Sequence, residues 1–266
     1  MTRTIVITGA SSGIGAALAR ILGAAGNDLV LAARRRPELE SVAREFGSRA
    51  IAVVADVTKR EDVIHLRDEA LRRFGSVGVW INNAGRGIAK PALELTDADF
   101  DEMMAVNVKS ALYGMQAIMP HFIERGQGHL INISSFLGRV PIATHRSAYN
   151  AAKAALNALT ANVRVDLRAK YPALHVSLIM PGLVTTDFAR HAIGSTGIAP
   201  PPWVAGGTMQ PQTAEEVASA IAGVIEHPVA ELYTNPASGP MARRYFEDVG
   251  AFEENLHARA AAPDAR

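Results

Sequence analysis

Short apolar runs alternate with longer amphipathic stretches along most of the chain. The short runs are rich in Val, Ile and Leu and are apolar on both faces, which is typical of buried parallel strands. They predict strands at residues 4–8, 29–32, 50–54, 79–82, 130–134, 176–180 and 231–233.

The amphipathic stretches between these runs predict helices, because their apolar residues recur with the helical period. The predicted helices start near Ser12, Pro37 and Arg60, follow Thr96 and Thr213, and span residues 149–168. Thr96 and Thr213 each stand three residues before an acid, Asp99 or Glu216, which is the spacing of a capping box. This alternation predicts an α/β fold in one domain, with a doubly wound parallel sheet of about seven strands and helices on both faces.

Two segments depart from this alternation. Residues 185–210 contain several glycines and three consecutive prolines, and we expect this long loop to act as a lid over a substrate. Residues 241–257 predict a helix within a C-terminal extension, 237–266, whose end we expect to be frayed. The sheet-forming domain is therefore predicted to span residues 1–236.

The composition excludes several classes of function. The formal net charge is +1 without a basic run, so we expect no nucleic-acid partner. The absence of Cys excludes disulfides and thiolate-bound zinc, and no His, Asp and Glu cluster predicts another metal site. No apolar stretch is long enough to span a bilayer and no signal segment begins the chain, so we expect a cytoplasmic protein without a membrane partner.

A glycine-rich segment joins the first predicted strand to the first helix. Glycines in this position let the pyrophosphate of a dinucleotide approach the helix N-terminus, where side chains would block it. The predicted cofactor-binding residues are Gly9, Ser11, Ser12, Gly13, Ile14 and Gly15. A tight turn without a ligand is the structural alternative.

The end of the second predicted strand indicates which dinucleotide would bind. A carboxylate there would bind a ribose 2′-hydroxyl, whereas arginine would accept a 2′-phosphate. The sequence continues with Arg34 and Arg35, and the first acid is Glu38, which favours NADP (NADPH) over NAD. A solvated basic start to the next helix is the alternative, although arginine is unfavourable at a helix N-terminus.

Polar residues also follow the third and fourth predicted strands, at the edge where open α/β sheets bind ligands. Asp56 with Val57 follows the third strand, and Asn83, Ala84 and Gly85 follow the fourth. We interpret Asp56 as an acceptor for the adenine amino group and Asn83 as a residue that fixes the turn. Each is, taken alone, as typical of turn chemistry as of a ligand.

Tyr149 and Lys153 lie four residues apart in a predicted helix and therefore share a face. A phenol beside an ammonium can act on one bound group, and Ser135 precedes this pair by fourteen residues. Beside a dinucleotide site, the three residues suggest hydride transfer.

These motifs together resemble the short-chain dehydrogenase/reductase family over about residues 4–233. The matching pieces are segment 8–15, Asp56-Val57, Asn82-Asn83-Ala84-Gly85, Asn107, Ser134-Ser135 with Gly138, Tyr149-x-x-x-Lys153, and Pro181-Gly182-x-Val184-x-Thr186. The glycine spacing resembles the branch of simple oxidoreductases with a Rossmann-type fold rather than that of sugar-nucleotide epimerases.

The resemblance implies a role for each matching residue. Tyr149 would be the general acid/base, Ser135 would hold the substrate oxygen, and Asn107 would complete a proton relay through water. Lys153 would bind the nicotinamide ribose and lower the pKa of the tyrosine. Pro181, Gly182, Val184 and Thr186 would border the nicotinamide, with Thr186 on its carboxamide. Each residue also has a structural interpretation, and Asn107 in particular is equally explained as a satisfied buried amide.

The expected substrate is a small carbonyl or alcohol compound, because the predicted pocket wall is mostly apolar. Its candidate residues are Phe136, Leu137, Ile142, His145, Phe188, Ile193 and Trp203, with Ile88 at the mouth. Arg86, Arg139 and Arg146 lie nearby in sequence, and the directions of their side chains are open. The helix after Thr96 is apolar around most of its girth, and in similar proteins it forms a dimer interface. We therefore expect a homodimer, and a tetramer stays open.

The sequence thus predicts an NADP-dependent oxidoreductase acting on a carbonyl group or secondary alcohol. A non-catalytic NADP-binding sensor or scaffold is the alternative from another class. An epimerase or dehydratase that retains its cofactor is a third reading, disfavoured by the glycine spacing.

Overall fold

The computed structural model describes residues 2–188, 192–194 and 209–261, with the backbone alone described at 257–261. The strands are Thr4–Thr8 (β1), Asp28–Ala33 (β2), Ala50–Val54 (β3), Val79–Asn82 (β4), Gly128–Ile133 (β5), Leu174–Met180 (β6) and Glu231–Tyr233 (β7). The α-helices of the described residues are Gly13–Ala24 (α1), Arg36–Arg44 (α2), Arg60–Phe74 (α3), Asp97–Met104 (α4), Ser110–Arg125 (α5), Ser147–Arg168 (α6), Ala214–Glu226 (α7), Ser238–Glu247 (α8) and Val249–Ala261 (α9).

The seven strands form one parallel sheet in the order β3-β2-β1-β4-β5-β6-β7. The chain proceeds outward from β1 to β3 and then crosses back to place β4 on the other side of β1. The carboxyl ends of β1 and β4 therefore flank the crevice in which open α/β sheets bind their ligands. The prediction of a doubly wound sheet of about seven strands is confirmed.

Successive residues of each strand supply two separate apolar cores, because side chains alternate between the two faces of a sheet. Ile5 and Ile7 of β1 belong to a core formed with α1, α2 and α7. Val6 between them belongs to a core formed with α3, α5 and α6, which also contains the fully buried Trp80. Helices cover both faces, as predicted.

The helix predicted after Thr96 begins where expected, but it is interrupted. Thr96 accepts a hydrogen bond from the backbone N–H of Asp99, and the Asp99 carboxylate accepts one from the Thr96 N–H, which completes the predicted capping box. A π-helical turn, Ala105–Lys109, then separates α4 from α5. The apolar residues continue through this turn without a break, so the sequence pattern gives no sign of it.

The helix predicted at residues 241–257 is two helices, because the backbone is extended at Asp248, with φ −155° and ψ 99°. The Asp248 carboxylate accepts a hydrogen bond of 2.9 Å from the N–H of Ala251 in the first turn of α9. Phe252 of α9 is buried in an apolar cluster with Phe136 and Val140, which follow β5. The C-terminal extension therefore packs against the turn after β5. Its separation from a domain at residues 1–236 stays a prediction.

The loop predicted as a lid, 185–210, lies largely outside the described residues. At the start of this loop, backbone hydrogen bonds of 2.8 Å join Thr185 to Gln212 and Gln212 to Leu183. Residues 192–194 are joined to the segment after β4, where Ile193 pairs with Ile88. Closure of the lid over a ligand stays a prediction. Among the helices that the structure describes, none has the length and hydropathy needed to cross a bilayer.

The packing of α9 predicts that Phe252→Ala lowers the free energy of unfolding by about 3 kcal/mol, because it opens a cavity beside Phe136. Urea unfolding of the purified protein measures this change. Phe246→Ala is the matched control, since Phe246 is 61% exposed and should change stability by less than about 0.5 kcal/mol. Equal losses in the two variants would contradict the docking of α9.

Candidate active site

The predicted glycine-rich turn connects β1 to α1 with two residues in the left-handed region, Gly9 at φ 69° and Gly13 at φ 54°. A Cβ atom on Gly9 would lie 2.9 Å from the Cα of Ala84. One on Gly15 would lie 2.7 Å from the Nδ2 of Asn83. The glycines at these positions therefore permit both the shape of the turn and the close approach of the chain after β4.

The N-terminus of α1 is suited to an anion. Ser12 stands at its N-cap without making a side-chain capping bond, and its first turn contains no acid. The first N–H groups of a helix lack intrahelical partners and carry positive partial charge, so a phosphate group satisfies both. The residues present at the carboxyl ends of β1 and β4 thus fit the pyrophosphate of a dinucleotide.

Asn83 links the turns after β1 and β4. Its Nδ2 donates a hydrogen bond of 2.8 Å to the backbone oxygen of Thr8. The Thr8 hydroxyl accepts bonds of 3.0 Å from the N–H groups of both Asn83 and Ala84. Asn83 and Ala84 therefore hold the crevice in shape, which agrees with the interpretation of Asn83 as a turn-fixing residue.

Arg34 and Arg35 are both exposed at the carboxyl end of β2. The guanidinium of Arg35 donates hydrogen bonds of 2.6 Å to the hydroxyl of Ser12 and 3.1 Å to that of Ser11. Of the two arginines predicted to bind a 2′-phosphate, Arg35 is in direct contact with the glycine-rich turn. Binding of a 2′-phosphate by these two arginines stays a prediction.

Asp56 and Val57 follow β3 and have roles in the local structure. The Asp56 carboxylate accepts hydrogen bonds from the N–H of Thr58 at 3.1 Å and from its hydroxyl at 2.7 Å. Burial acts to raise the pKa of Asp56, but the bonds from Thr58 and the charge of Arg34 outweigh it and lower the pKa. Val57 is buried in the core. Contact of Asp56 with adenine stays a prediction.

The structure brings Ser135, Tyr149 and Lys153 together. Tyr149 and Lys153 lie on α6 and are 7% and 3% exposed, and the Lys153 Nζ is 5.7 Å from the centroid of the Tyr149 ring. Ser135 follows β5, and its side chain lies close enough to that of Tyr149 to lower the pKa of the phenol. A phenol, a hydroxyl and an amine thus meet beside the crevice.

Burial dominates the protonation of this group. It raises the pKa of Tyr149, against the opposing effects of the nearby Ser135 side chain and the positive charge of Arg146. It lowers the pKa of Lys153 to about 7. Lys153 is therefore mostly neutral at the pH where a phenol titrates, and the charge that favours the Tyr149 phenolate in this structure belongs to Arg146 instead.

The two neighbouring serines have different surroundings. Ser134 faces α6, where its hydroxyl donates to the Oδ1 of Asn157 at 2.5 Å and to the backbone oxygen of Lys153 at 3.3 Å. Ser135 instead accepts a bond of 3.2 Å from the N–H of Leu137 and reaches Tyr149. Ser134 is thus held by contacts within the fold, and the role of Ser135 toward a substrate stays a prediction.

Asn107 lies in the π-helical turn and its side chain is fully hydrogen-bonded. Its Nδ2 donates to the backbone oxygens of Arg86 at 2.9 Å and Met103 at 3.1 Å, and its Oδ1 accepts from the N–H of Arg86 at 3.2 Å. A Cβ on Gly85 would lie 3.0 Å from the Asn107 Oδ1 and 3.7 Å from the Lys153 Nζ. Asn107 thus borders the site near Lys153, and its part in a proton relay stays a prediction.

The segment after β6 reaches back toward the glycine-rich turn. A Cβ on Gly13 would lie 3.6 Å from the Cγ2 of Thr186, so Thr186 faces the N-terminus of α1. Pro181 accepts a backbone bond of 2.8 Å from Phe136, and Val184 pairs with Gln212. Gly182 lies against Asn235 and Met209, since a Cβ there would be 3.0 Å from each. Thr186 thus lies beside the start of α1, and its contact with a nicotinamide stays a prediction.

The predicted pocket wall divides between two apolar clusters. Leu137, Phe188 and Ile193 pack with Ile88 and Tyr149, and the Phe188 ring meets the Tyr149 ring edge-on at 5.7 Å. Phe136 and Ile142 belong to the C-terminal cluster instead, because α8 and α9 cover them. The sequence could not indicate this difference, since it depends on where the extension docks.

The remaining predicted wall and ligand residues are placed as follows. His145 is partly buried, and burial together with the charge of Arg146 lowers its pKa. Trp203 lies outside the described residues. Within the part of the chain that the structure describes, no group of three or more His, Asp or Glu residues is arranged to hold a metal ion.

Comparison with known proteins gives consistent sequence matches. A family model described as short chain dehydrogenase matches residues 3–194. The chain is 35% identical over 235 residues to YxnA, an uncharacterised oxidoreductase of Bacillus subtilis, covering 87% of this chain and 65% of that protein. It is 33% identical over 188 residues to an uncharacterised oxidoreductase of Staphylococcus epidermidis, covering 71% of this chain and 80% of that protein. The chain thus spans just under two thirds of the Bacillus protein.

Two solved structures resemble the chain over most of its length. A short-chain dehydrogenase/reductase from Burkholderia phymatum in complex with NAD matches with a TM-score of 0.83 and 28% identity, covering 94% of this chain and 95% of that one. An alcohol dehydrogenase from the archaeon Thermococcus sibiricus, complexed with 5-hydroxy-NADP, matches with a TM-score of 0.75 and 28% identity, covering 88% and 97%. Dinucleotides of both the NAD and the NADP type thus occur among these neighbours.

The burial of Lys153 predicts a pH dependence of stability in the ligand-free protein. Its pKa is 10.5 when unfolded and about 7 when folded, so the unfolded chain binds more protons between these values. The free energy of unfolding should therefore rise from about pH 7 to about pH 10, relative to Lys153→Met, by at most about 1.4 kcal/mol per pH unit.

Urea unfolding at several pH values tests this dependence. Lys59→Met is the control, because Lys59 is exposed and its removal should leave the slope unchanged. Parallel pH profiles for the wild type and Lys153→Met would show that the buried ammonium keeps an ordinary pKa.

Proposed function

The chain belongs to the short-chain dehydrogenase family of oxidoreductases, and on this basis we propose that it is an NADP-dependent enzyme that interconverts a carbonyl group and a secondary alcohol. The observation that supports this most directly is the meeting of Ser135, Tyr149 and Lys153 beside the crevice between β1 and β4. These residues supply a hydrogen-bond donor, a proton donor and an amine that is a cation when protonated.

The cofactor in this proposal is a nicotinamide dinucleotide, which donates or accepts the hydride when bound. The N-terminus of α1 and the glycine-rich turn would hold the pyrophosphate, and Arg34 with Arg35 would hold the 2′-phosphate. Lys153 would bind the nicotinamide ribose, because its Nζ has three donors and the bond to Ile133 at 2.9 Å uses one. Thr186 would bind the carboxamide.

The protein residues handle the proton and the charge on the substrate oxygen. Negative charge develops on that oxygen as a carbonyl is reduced, and the hydroxyls of Ser135 and Tyr149 would stabilise it by donating hydrogen bonds. Tyr149 would give its proton in reduction and take one in oxidation. The nearby positive charge of Arg146 and that of protonated Lys153 would favour the phenolate required for the second direction.

The size of the substrate, the assembly of the enzyme and its location belong to the same proposal. The apolar cluster of Ile88, Leu137, Phe188 and Ile193 suits the carbon chain of a small substrate. Tyr113 and Met119 of α5 are partly exposed apolar residues. Together with Val165 of α6, 72% exposed, they support a homodimer through these two helices. A cytoplasmic location also belongs to the proposal.

Removing the Tyr149 hydroxyl should abolish most of the reaction. We expect Tyr149→Phe to lower kcat by about 100- to 10,000-fold, as is typical for loss of a general acid/base, while the Kd for NADPH changes by less than about threefold. The consumption of NADPH with a panel of ketones, aldehydes and quinones measures kcat. The fluorescence of NADPH measures its Kd. Turnover in Tyr149→Phe close to that of the wild type would contradict the assignment.

The two serines provide a matched comparison for the same assay. Ser135→Ala should lower kcat by about 100-fold, since it removes a hydroxyl aimed at the substrate oxygen. Ser134→Ala should mainly lower the free energy of unfolding, because it leaves the buried Oδ1 of Asn157 without its donor. Tight binding of NADPH by the wild type without turnover of any panel member would instead favour a sensor or scaffold.

The cofactor preference is tested at the end of β2. Replacing Arg34 or Arg35 with Ala should lower kcat/KM for NADPH by about 10- to 100-fold and leave that for NADH within about threefold, because each removes a charged bond to the 2′-phosphate. Arg36→Ala is the matched control, since Arg36 pairs with Glu40 at 3.1 Å on the following helix. A wild type that uses NADH as well as NADPH would contradict the preference.

A further inference from the structure

Three arginines lie near the site residues in the sequence, and they differ in how their charge is compensated. Arg86 forms an ion pair with Glu102, and Arg139 forms one of 2.7 Å with Glu231. Arg146 has no ion pair with any carboxylate of the described residues. The internal segments outside the description, 189–191 and 195–208, contain no Asp or Glu in their sequence. Arg146 is therefore a cation beside the site that lacks a counter-charge from the described protein.

The guanidinium of Arg146 lies on the side of the pocket occupied by Phe188. A Cβ on Gly87 would be 3.1 Å from the Arg146 Nη1 and 3.0 Å from the Phe188 Cε1, so both groups meet above Gly87. Phe188 in turn contacts the ring of Tyr149. The charge of Arg146 is also close enough to Tyr149 to lower its pKa. The guanidinium of Arg146 and the phenol of Tyr149 thus border the same part of the pocket.

The backbone around Arg146 is held firmly. Its N–H donates a bond of 2.9 Å to Ala143, and its chain pairs with Lys90. The hydroxyl of Ser147 donates 2.8 Å to the backbone oxygen of Lys90. The neighbouring acid, Asp99, is engaged by the Lys90 ammonium at 2.6 Å and by the start of α4. Asp99 therefore does not neutralise Arg146, and the backbone that carries the guanidinium is fixed by hydrogen bonds.

We propose that Arg146 binds a carboxylate of the substrate, so that the preferred substrates are oxo acids, or hydroxy acids in the reverse direction. The inference rests on the proposed function and specifies its substrate class. A guanidinium presents a planar pair of donors that matches a carboxylate, and a partly buried one gains most from such a partner. Gly87 lets the guanidinium and the Phe188 ring approach its backbone closely, since a Cβ there would be 3.1 and 3.0 Å from them.

The geometry of α6 limits the length of the substrate. Arg146 at the N-cap and Tyr149 in the first turn are three residues apart, and both side chains lie against Phe188. The carboxylate therefore lies a few carbon atoms from the carbonyl that faces Tyr149. Phe188 and Ile88 contact the carbon chain between these two polar ends.

The test compares acetoacetate and levulinate with their uncharged primary amides as substrates of the NADPH-loaded enzyme. The wild type should prefer each acid to its amide. Arg146→Gln should lower kcat/KM for the acids by about 10- to 100-fold, mainly through KM, and leave the amides within about threefold. Arg146→Lys should recover part of the loss, because it restores the charge without the planar fork.

Arg139→Gln is the matched control, since it removes an arginine of the same region that is already paired with Glu231. In Arg139→Gln, the ratio of kcat/KM for an acid to kcat/KM for its amide should equal that of the wild type. Equal losses for acids and amides in Arg146→Gln would overturn the proposal and indicate that Arg146 acts on Tyr149 or on the fold. The absence of any preference for acids in the wild type would overturn it as well.

Binding can also be measured without turnover, as the rise in Tm caused by levulinate compared with its amide. The acid should raise the Tm of the wild type and of Arg139→Gln but not that of Arg146→Gln. If the acid raises the Tm but no carbonyl compound is reduced, the result would support the carboxylate site and refute the proposed reaction. Reduction of uncharged ketones with no effect of the acid on rate or Tm would refute the carboxylate site alone.

Discussion

The close approach of α6 to the turn after β5 is the constraint on which the site depends. The turn crosses α6 at Gly138, where a Cβ would lie 2.6 Å from the backbone carbon of Lys153. Asn157 donates a bond of 3.0 Å to Gly138, and Ser134 bonds to Asn157. These contacts need no ligand, and together they fix the separation between Ser135 on the turn and Tyr149 on the helix. A larger residue at Gly138 would move both elements apart.

The same packing determines the electrostatics. Contact between α6 and β5 leaves Lys153 with a backbone oxygen, that of Ile133, as its partner, and burial lowers its pKa to about 7. An ammonium in this position becomes fully charged when an oxygen-rich or anionic group enters beside it. The more exposed arginines keep their charge under all conditions. The site therefore combines one cation whose charge depends on its environment with others that are permanent.

Much of the fold could be predicted from local pattern, because buried parallel strands and capped helices have short-range signals. The capping boxes at Thr96 and Thr213 start their helices as expected. The π-helical turn around Asn107 could not be predicted, because the apolar spacing continues through it. The break at Asp248 could not be predicted either, because it depends on how α9 docks. For the same reason the sequence placed Phe136 in the pocket wall, whereas the C-terminal extension covers it. The directions of Arg35 and Arg146 likewise depend on contacts across long stretches of chain.

The helices show where the protein accommodates negative charge. Helices α2, α3, α4 and α7 each carry acids in the first turn, which offset the positive end of the helix dipole. Helices α1 and α6 face the crevice, and neither carries an acid there. At α1 the uncompensated end adjoins Arg35, and at α6 it adjoins Arg146. A ligand that places anionic groups at both ends would supply the kind of charge that acids supply at α2, α3, α4 and α7. A dinucleotide phosphate at α1 and a substrate carboxylate at α6 meet that condition together.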